Sequence, residues 1–284
     1  MTRAIRALAV RLQATVPWRV FQRFSQADGN IYAPMIAYTA IFSMFPIMLA
    51  VLTLISIPLR DPLVAGDVER TFAALLPPGV AGSVLEVLKG TTQEAGLFGV
   101  VSFVGLLWGG SALFGALEAG FDRIYEAPKR SFLRQRLMAV AMVFVFATFL
   151  VLAIATSSLA QVVAEFWPAL DMDAAWVGMA ASVASWVLSL TFSLLLFTVI
   201  YLVVPNVRLG LRNVWPGALF GTVIFFLMLQ VFPLYVRYVA GFNQYGALFG
   251  FFFVLLTWFY LLAVVLLLGA AINAVLRPLR PVGL

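Results

Sequence analysis

Glu118, Asp122 and Glu126 recur at every fourth position, so a helix would carry three carboxylates on one face. A metal-dependent hydrolase or nuclease uses acids in this way, provided that histidines or further acids complete the coordination. The chain has no histidine and no cysteine. Their absence removes the commonest metal ligand and general base, and with them thiolate nucleophiles and cysteine metal sites. Arg123, Lys129 and Arg130 flank the three acids, and ion pairing along the helix and at a lipid surface accounts for them more simply. No catalytic residue, metal or cofactor is expected, and nucleic acid is not an expected partner.

A second polar group lies much later in the chain. Gln230 is followed by Tyr235, Arg237 and Tyr238, then by Asn243, Gln244, Tyr245 and Gly246. An arginine among tyrosines can hold an anionic headgroup or a carboxylate. The same residues also suit an interfacial belt with a snorkelling arginine. Two prolines, Pro46 and Pro233, stand inside apolar stretches, where each removes a backbone hydrogen bond and leaves either a packing kink or a lined cavity. Tyr38, Ser43, Pro46, Gln230, Pro233, Tyr235, Arg237, Tyr238 and Tyr245 are therefore the candidates for a substrate cavity.

The elements that must position these residues are set by the solvent. Residues 29–59, 95–117, 137–164, 174–207, 213–236 and 238–276 contain no charged side chain. Each exceeds the roughly 20 residues that a helix needs to cross hydrocarbon. With 63% hydrophobic and 11% charged residues and a mean hydropathy of +1.04, the chain cannot hide its apolar surface in a water-soluble core. The expected fold is all-α, a polytopic bundle of six transmembrane helices over residues 29–276. A basic amphipathic segment (1–28) precedes it and a short tail (277–284) follows.

The net charge of +6 matters less than its distribution. Basic residues gather in alternate segments: Arg3, Arg6, Arg11, Arg19 and Arg23; Arg123, Lys129, Arg130, Arg134 and Arg136; Arg208 and Arg212; Arg277 and Arg280. The positive-inside rule places these segments and both termini in the cytoplasm. Arg123, Lys129, Arg130, Arg134 and Arg136 then face lipid headgroups. The basic start does not read as a cleaved signal peptide. It suits a helix lying on the anionic leaflet or a short solvated arm. The loop 60–94 reads as two short amphipathic helices hinged at Pro77 and Pro78, either covering the outer mouth of the bundle or packing at the interface. Gly105, Gly109, Gly110, Ser111 and Gly115 in the second stretch, and Gly217 and Gly221 in the fifth, permit close helix contact. Asn273, one turn after Gly269, reads as an interhelical hydrogen bond.

Residues from Ala37-Tyr38 through Ser43-Met44-Phe45-Pro46, and Phe121-Asp122-Arg123-Ile124-Tyr125 with Arg130, Phe132 and Arg136, form an ordered pattern. It continues through Tyr201, Pro205, Trp215, Gly217, Gly221, Phe232, Tyr235, Tyr238, Tyr245, Gly246, Trp258, Tyr260, Gly269, Ala270 and Asn273. Over about residues 30 to 275 this order resembles the YihY family, also called BrkB, of bacterial inner-membrane proteins. The resemblance implies a six-helix membrane bundle. Members have been labelled ribonuclease BN, a label that the residue inventory argues against, and others are linked to envelope integrity or proposed to move lipids. In one departure, Ala271 stands where the family often has an acid after the Gly-Ala of the sixth span. The leading expectation is an inner-membrane protein that moves or shelters an amphiphilic or anionic envelope molecule through a cavity between the first and fifth spans. It would contact membrane lipids and be free to oligomerise. The alternatives are a scaffolding subunit and, last, an RNA-cleaving enzyme.

Overall fold

The computed structural model describes residues 15–56, 95–166, 174–239 and 247–278. Among these described residues seven helices follow one another: α1 (Val16–Gln26), α2 (Gly29–Ser56), α3 (Ala95–Tyr125), α4 (Phe132–Phe166), α5 (Ala174–Val203), α6 (Leu211–Val239) and α7 (Ala247–Leu276). Among the described residues every regular element is a helix. Four of them contain a span long and apolar enough to cross a membrane: Phe132–Phe149, Val183–Val203, Leu211–Arg237 and Phe252–Leu276. The loop 60–94, the first 14 residues, Tyr245 and the last six residues lie outside the description, as does the Tyr238 side chain.

The chain divides into two compact units, residues 39–113 and the remainder. In the larger unit α4 packs on α5, α5 on α6, α6 on α7, and α7 on α1. Its interior holds Phe121, Ile124, Met142, Tyr201, Val204, Val214, Leu267, Ala270 and Ala271. The Phe121 and Tyr201 rings lie 5.5 Å apart. A run of aromatic contacts, Phe197 to Phe225, Phe225 to Trp258 and Phe232 to Trp258, ties α5, α6 and α7 together. On the outer faces Phe144, Phe146, Val183, Val187, Leu219, Val223, Leu227, Phe252 and Phe253 are exposed. So much exposed apolar surface is untenable in water and ordinary against lipid tails.

Small residues bring α6 and α7 into contact, as their spacing predicts. A Cβ on Gly217 would strike the Gly269 carbonyl and the Asn273 amide, and a Cβ on Gly269 would strike the Tyr201 hydroxyl. Asn273 Oδ1 accepts the Gly217 N–H at 2.7 Å, the interhelical bond expected of it. Tyr201 donates to the Leu266 carbonyl at 3.0 Å. Helix α6 runs unbroken through Pro216 and Pro233.

The amphipathic segment behaves differently from a free surface helix. Pro17 lies in the first turn of α1, where its missing N–H is harmless, and Val20 is buried. Arg23 is engaged by protein: its Nε donates to the Ile124 carbonyl at 2.8 Å and its Nη1 to Glu126 at 2.6 Å. Trp18 and Phe21 stay exposed. Asp28, at a φ of 56°, closes α1, and its carbonyl accepts from Ile31 and Tyr32 to start α2.

In the smaller unit α2 and α3 meet at Pro46. A Cβ on Gly109 would come within 2.7 Å of the Pro46 ring and one on Gly105 within 3.0 Å. Ser43 is buried there and donates to the Thr39 and Gly109 carbonyls.

Candidate functional site

Glu118 and Asp122 on the last turns of α3 and Glu126 just after it do not share one exposed face, which corrects the simpler expectation drawn from their spacing. Glu118 is buried, its side chain 2% exposed, with Oε1 3.1 Å from Nε of Arg130, itself 13% exposed. Asp122 accepts the Asn206 backbone N–H at 2.8 Å, and its own carbonyl accepts the Ala127 N–H. Glu126 turns outward to Arg23, and Arg123 pairs with Asp28 at 3.2 Å. The physical reason is the chain reversal after α3. Glu126 adopts a φ of 55°, ending the helix and sending residues 127–131 back across it.

Arg130 is the centre of this arrangement. Besides Glu118, it donates to Asn206 Oδ1 at 3.2 Å and to the Val204 and Pro205 carbonyls at 3.4 and 3.3 Å. The Asn206 amide in turn donates to the Pro128 carbonyl at 2.7 Å. Five donors in a planar fork suit a guanidinium to this clustering of acceptors, and a lysine could not replace it. Of the five cations expected to face headgroups, Arg130 therefore points inward and Arg123 is engaged by Asp28. Lys129 and Arg134 are exposed, and Arg136 lies over the Phe132 ring at 5.9 Å.

These side chains line a cavity of about 910 Å³, with Arg23, Gln26, Tyr32, Asp122, Arg123, Lys129 and Gln135 around Glu118. Both Glu118 and Asp122 lie beyond the charge-free stretch that ends at Leu117. Burial pushes the Glu118 carboxyl above its ordinary value; Arg130 opposes the rise, Asp122 reinforces it and Gln135 opposes it. Burial also raises Asp122, against the Asn206 N–H and Arg130. Each acid thus holds a proton more readily folded than unfolded, so stability should rise as pH falls from neutrality, the Glu118 part levelling off below 4.5 and the Asp122 part below 3.8, their ordinary values. Thermal unfolding of the detergent-solubilised protein across that range tests this, and Glu118→Gln should flatten most of the slope. An unchanged slope in that variant would refute the assignment.

A second cavity, of about 650 Å³, belongs to the smaller unit and is almost wholly apolar. Thr39, Phe42, Ser43, Pro46, Val104, Gly105, Trp108, Gly109 and Ala112 line it. Two of the sequence candidates, Ser43 and Pro46, thus share one cavity, which the first two charge-free stretches line. Of the others, Tyr38, Gln230, Pro233 and Arg237 are exposed. Tyr235 shares a 3.2 Å hydrogen bond with Thr257 of α7. Sequence reasoning missed Asn206, whose only local sign is its place after Pro205, where α5 has just ended.

The profile of the family described as Virulence factor BrkB matches residues 20–281. The chain belongs to the BrkB family. It is 30% identical over 268 residues to a protein of Bacillus subtilis (strain 168) named ribonuclease-like protein YfkH, covering 91% of this chain and 94% of that one. A UPF0761 membrane protein of Pseudoalteromonas atlantica is 26% identical, covering 93% and 87%. One of Aggregatibacter aphrophilus is 23% identical, covering 93% and 95%. No solved structure matches. Family and helices together make this a multi-pass membrane protein. Among the described residues no group of three or more His, Cys, Asp or Glu side chains is placed to hold a metal ion.

Proposed function

We propose that this BrkB-family chain is an inner-membrane protein, with six spans and both termini in the cytoplasm, that moves or shelters an amphiphilic envelope molecule such as a lipid. The observation that carries this reading is the apolar cavity beside Pro46. Its volume of about 650 Å³ lies within the range of about 300–1,000 Å³ typical of ligand sites. Two hydroxyls, of Thr39 and the buried Ser43, and the Trp108 indole are its polar side-chain groups, and the rest suits an acyl chain. Taken by itself, the charged cavity of the larger unit has the chemistry to meet a polar head group. A scaffolding role is less well supported, because the glycine faces of α6 and α7 are used up inside the chain.

Filling the apolar cavity with Ala112→Leu and Val104→Trp should abolish lipid movement between leaflets of reconstituted vesicles at unchanged protein yield. Val104 is largely exposed and tolerates the added bulk. Undiminished movement in the folded variant would overturn the assignment of this cavity to substrate.

A further inference from the structure

The charged cavity is not a simple anion trap. Three of its cations are already taken: Arg23 by Glu126, Arg123 by Asp28 and Arg130 by Glu118. Among the described residues the remaining cavity cation, Lys129, is exposed and has no carboxylate partner. On the acidic side the surplus lies with the buried groups. Neither oxygen of Glu118 meets a donor in full hydrogen-bond geometry among the described residues, although Arg130 and the Gln135 amide approach it and its side chain, 2% exposed, lines the cavity. Its contact with Arg130 is an ion pair at 3.1 Å that lacks hydrogen-bond geometry. Asp122, one turn on, accepts the Asn206 backbone N–H at Oδ1. A carboxylate accepts about four hydrogen bonds, and leaving a buried one without them is costly unless a donor arrives.

From this we infer that the cavity binds a zwitterionic head group, its primary ammonium donating to Glu118 and Asp122 and its phosphate meeting Lys129. The inference rests on the amphiphile reading above and narrows it. An ammonium has three donors, and carboxylates one helical turn apart, with Cβ atoms about 5–6 Å from each other, lie within reach of a single one. A divalent metal fits worse, since the Arg130 guanidinium already stands at Glu118 Oε1. A purely anionic ligand would meet a buried carboxylate and one unengaged cation.

The test uses the full-length protein in detergent, offered equal amounts of phosphatidylethanolamine, phosphatidylcholine and phosphatidylglycerol with identical acyl chains, and read by native mass spectrometry. The choline ammonium carries three methyl groups in place of its donors. The ethanolamine lipid should therefore be retained about tenfold or more over both others, the effect of one or more hydrogen bonds to a charged group. Lys129→Ala, at an exposed position, and Glu118→Gln should each erase that preference, with folding checked by size-exclusion chromatography. Soluble phosphoethanolamine that displaces the lipid upholds the same chemistry and shows that the head group suffices; equal binding with and without acyl chains makes a free zwitterion the ligand. Equal retention of the three lipids by the wild-type protein, or a preference for the glycerol lipid, overturns the inference without any variant. Leaflet-to-leaflet movement that ignores the head group and survives Glu118→Gln would leave the amphiphile reading standing and sink this one alone.

Discussion

Arg130→Ala is expected to cost about 3–5 kcal/mol, the range for removing one partner of a buried ion pair. The loss has two parts. Glu118 would stay buried without the cation that offsets the cost of its charge, and the Val204 and Pro205 carbonyls and Asn206 Oδ1 would lose their donor. These parts separate in a double variant. Adding Glu118→Gln removes the stranded charge but returns no donor to the 204–206 turn, so Arg130→Ala/Glu118→Gln should recover part of the stability and never all of it. The temperature at which the solubilised protein leaves its monodisperse peak is a sufficient readout. A single variant as robust as the wild type, or a double variant worse than Arg130→Ala alone, would show that the guanidinium does not hold this end together.

Gly269→Ala should be the other severe change, in the direction opposite to helix propensity. Alanine in an exposed helix interior is favoured over glycine by about 1 kcal/mol, yet here the new methyl would overlap the Tyr201 hydroxyl. Overpacking of a close-packed interior costs about 1–3 kcal/mol, and more where backbone stands behind the contact. The Gly217 carbonyl is a third neighbour of that methyl, at 3.1 Å, so α6 would have to move as well. Tyr201→Phe takes away the oxygen but leaves Cζ at 2.8 Å, and should relieve the clash only in part. Folded yield and unfolding temperature of the single and double variants decide the matter. A neutral Gly269→Ala would mean that α6 and α7 do not cross this closely.

The contrast between these two sites shows what a sequence discloses. Gly217, Gly269 and Asn273 are legible because small residues within a charge-free stretch have one ordinary use, close contact between helices, and Asn273 has few other ways to satisfy itself in lipid. The helices are legible for the same reason, since the absence of charge over more than twenty residues leaves little else for a backbone to do. Glu118 is not legible in that way. Its four-residue spacing to Asp122, amid basic neighbours, is the pattern of an exposed helix face. Its burial depends on a reversal at Glu126 that brings Arg130 over it, and on Asn206, more than eighty residues away, arriving from the turn after α5. Neither is encoded in local periodicity. The cavity candidates fared similarly: Ser43 and Pro46 line a cavity, but with Gly105 and Gly109 as the facing surface, because a glycine pair admits the proline ring where larger residues would hold it off.

Arg130 and Asn206 lace together the turn between α3 and α4 and the turn between α5 and α6. Within the larger unit, the last turns of α3 and the adjoining ends of α4, α5 and α6 are thereby fastened by a single polar knot. If that unit rocks during a working cycle, the knot is its pivot, and the large excursions belong to the opposite ends of the same helices. Spin-label distances across the knot would hold constant through such a cycle while those between the far ends changed, and the basic end would serve the membrane as a fixed bearing.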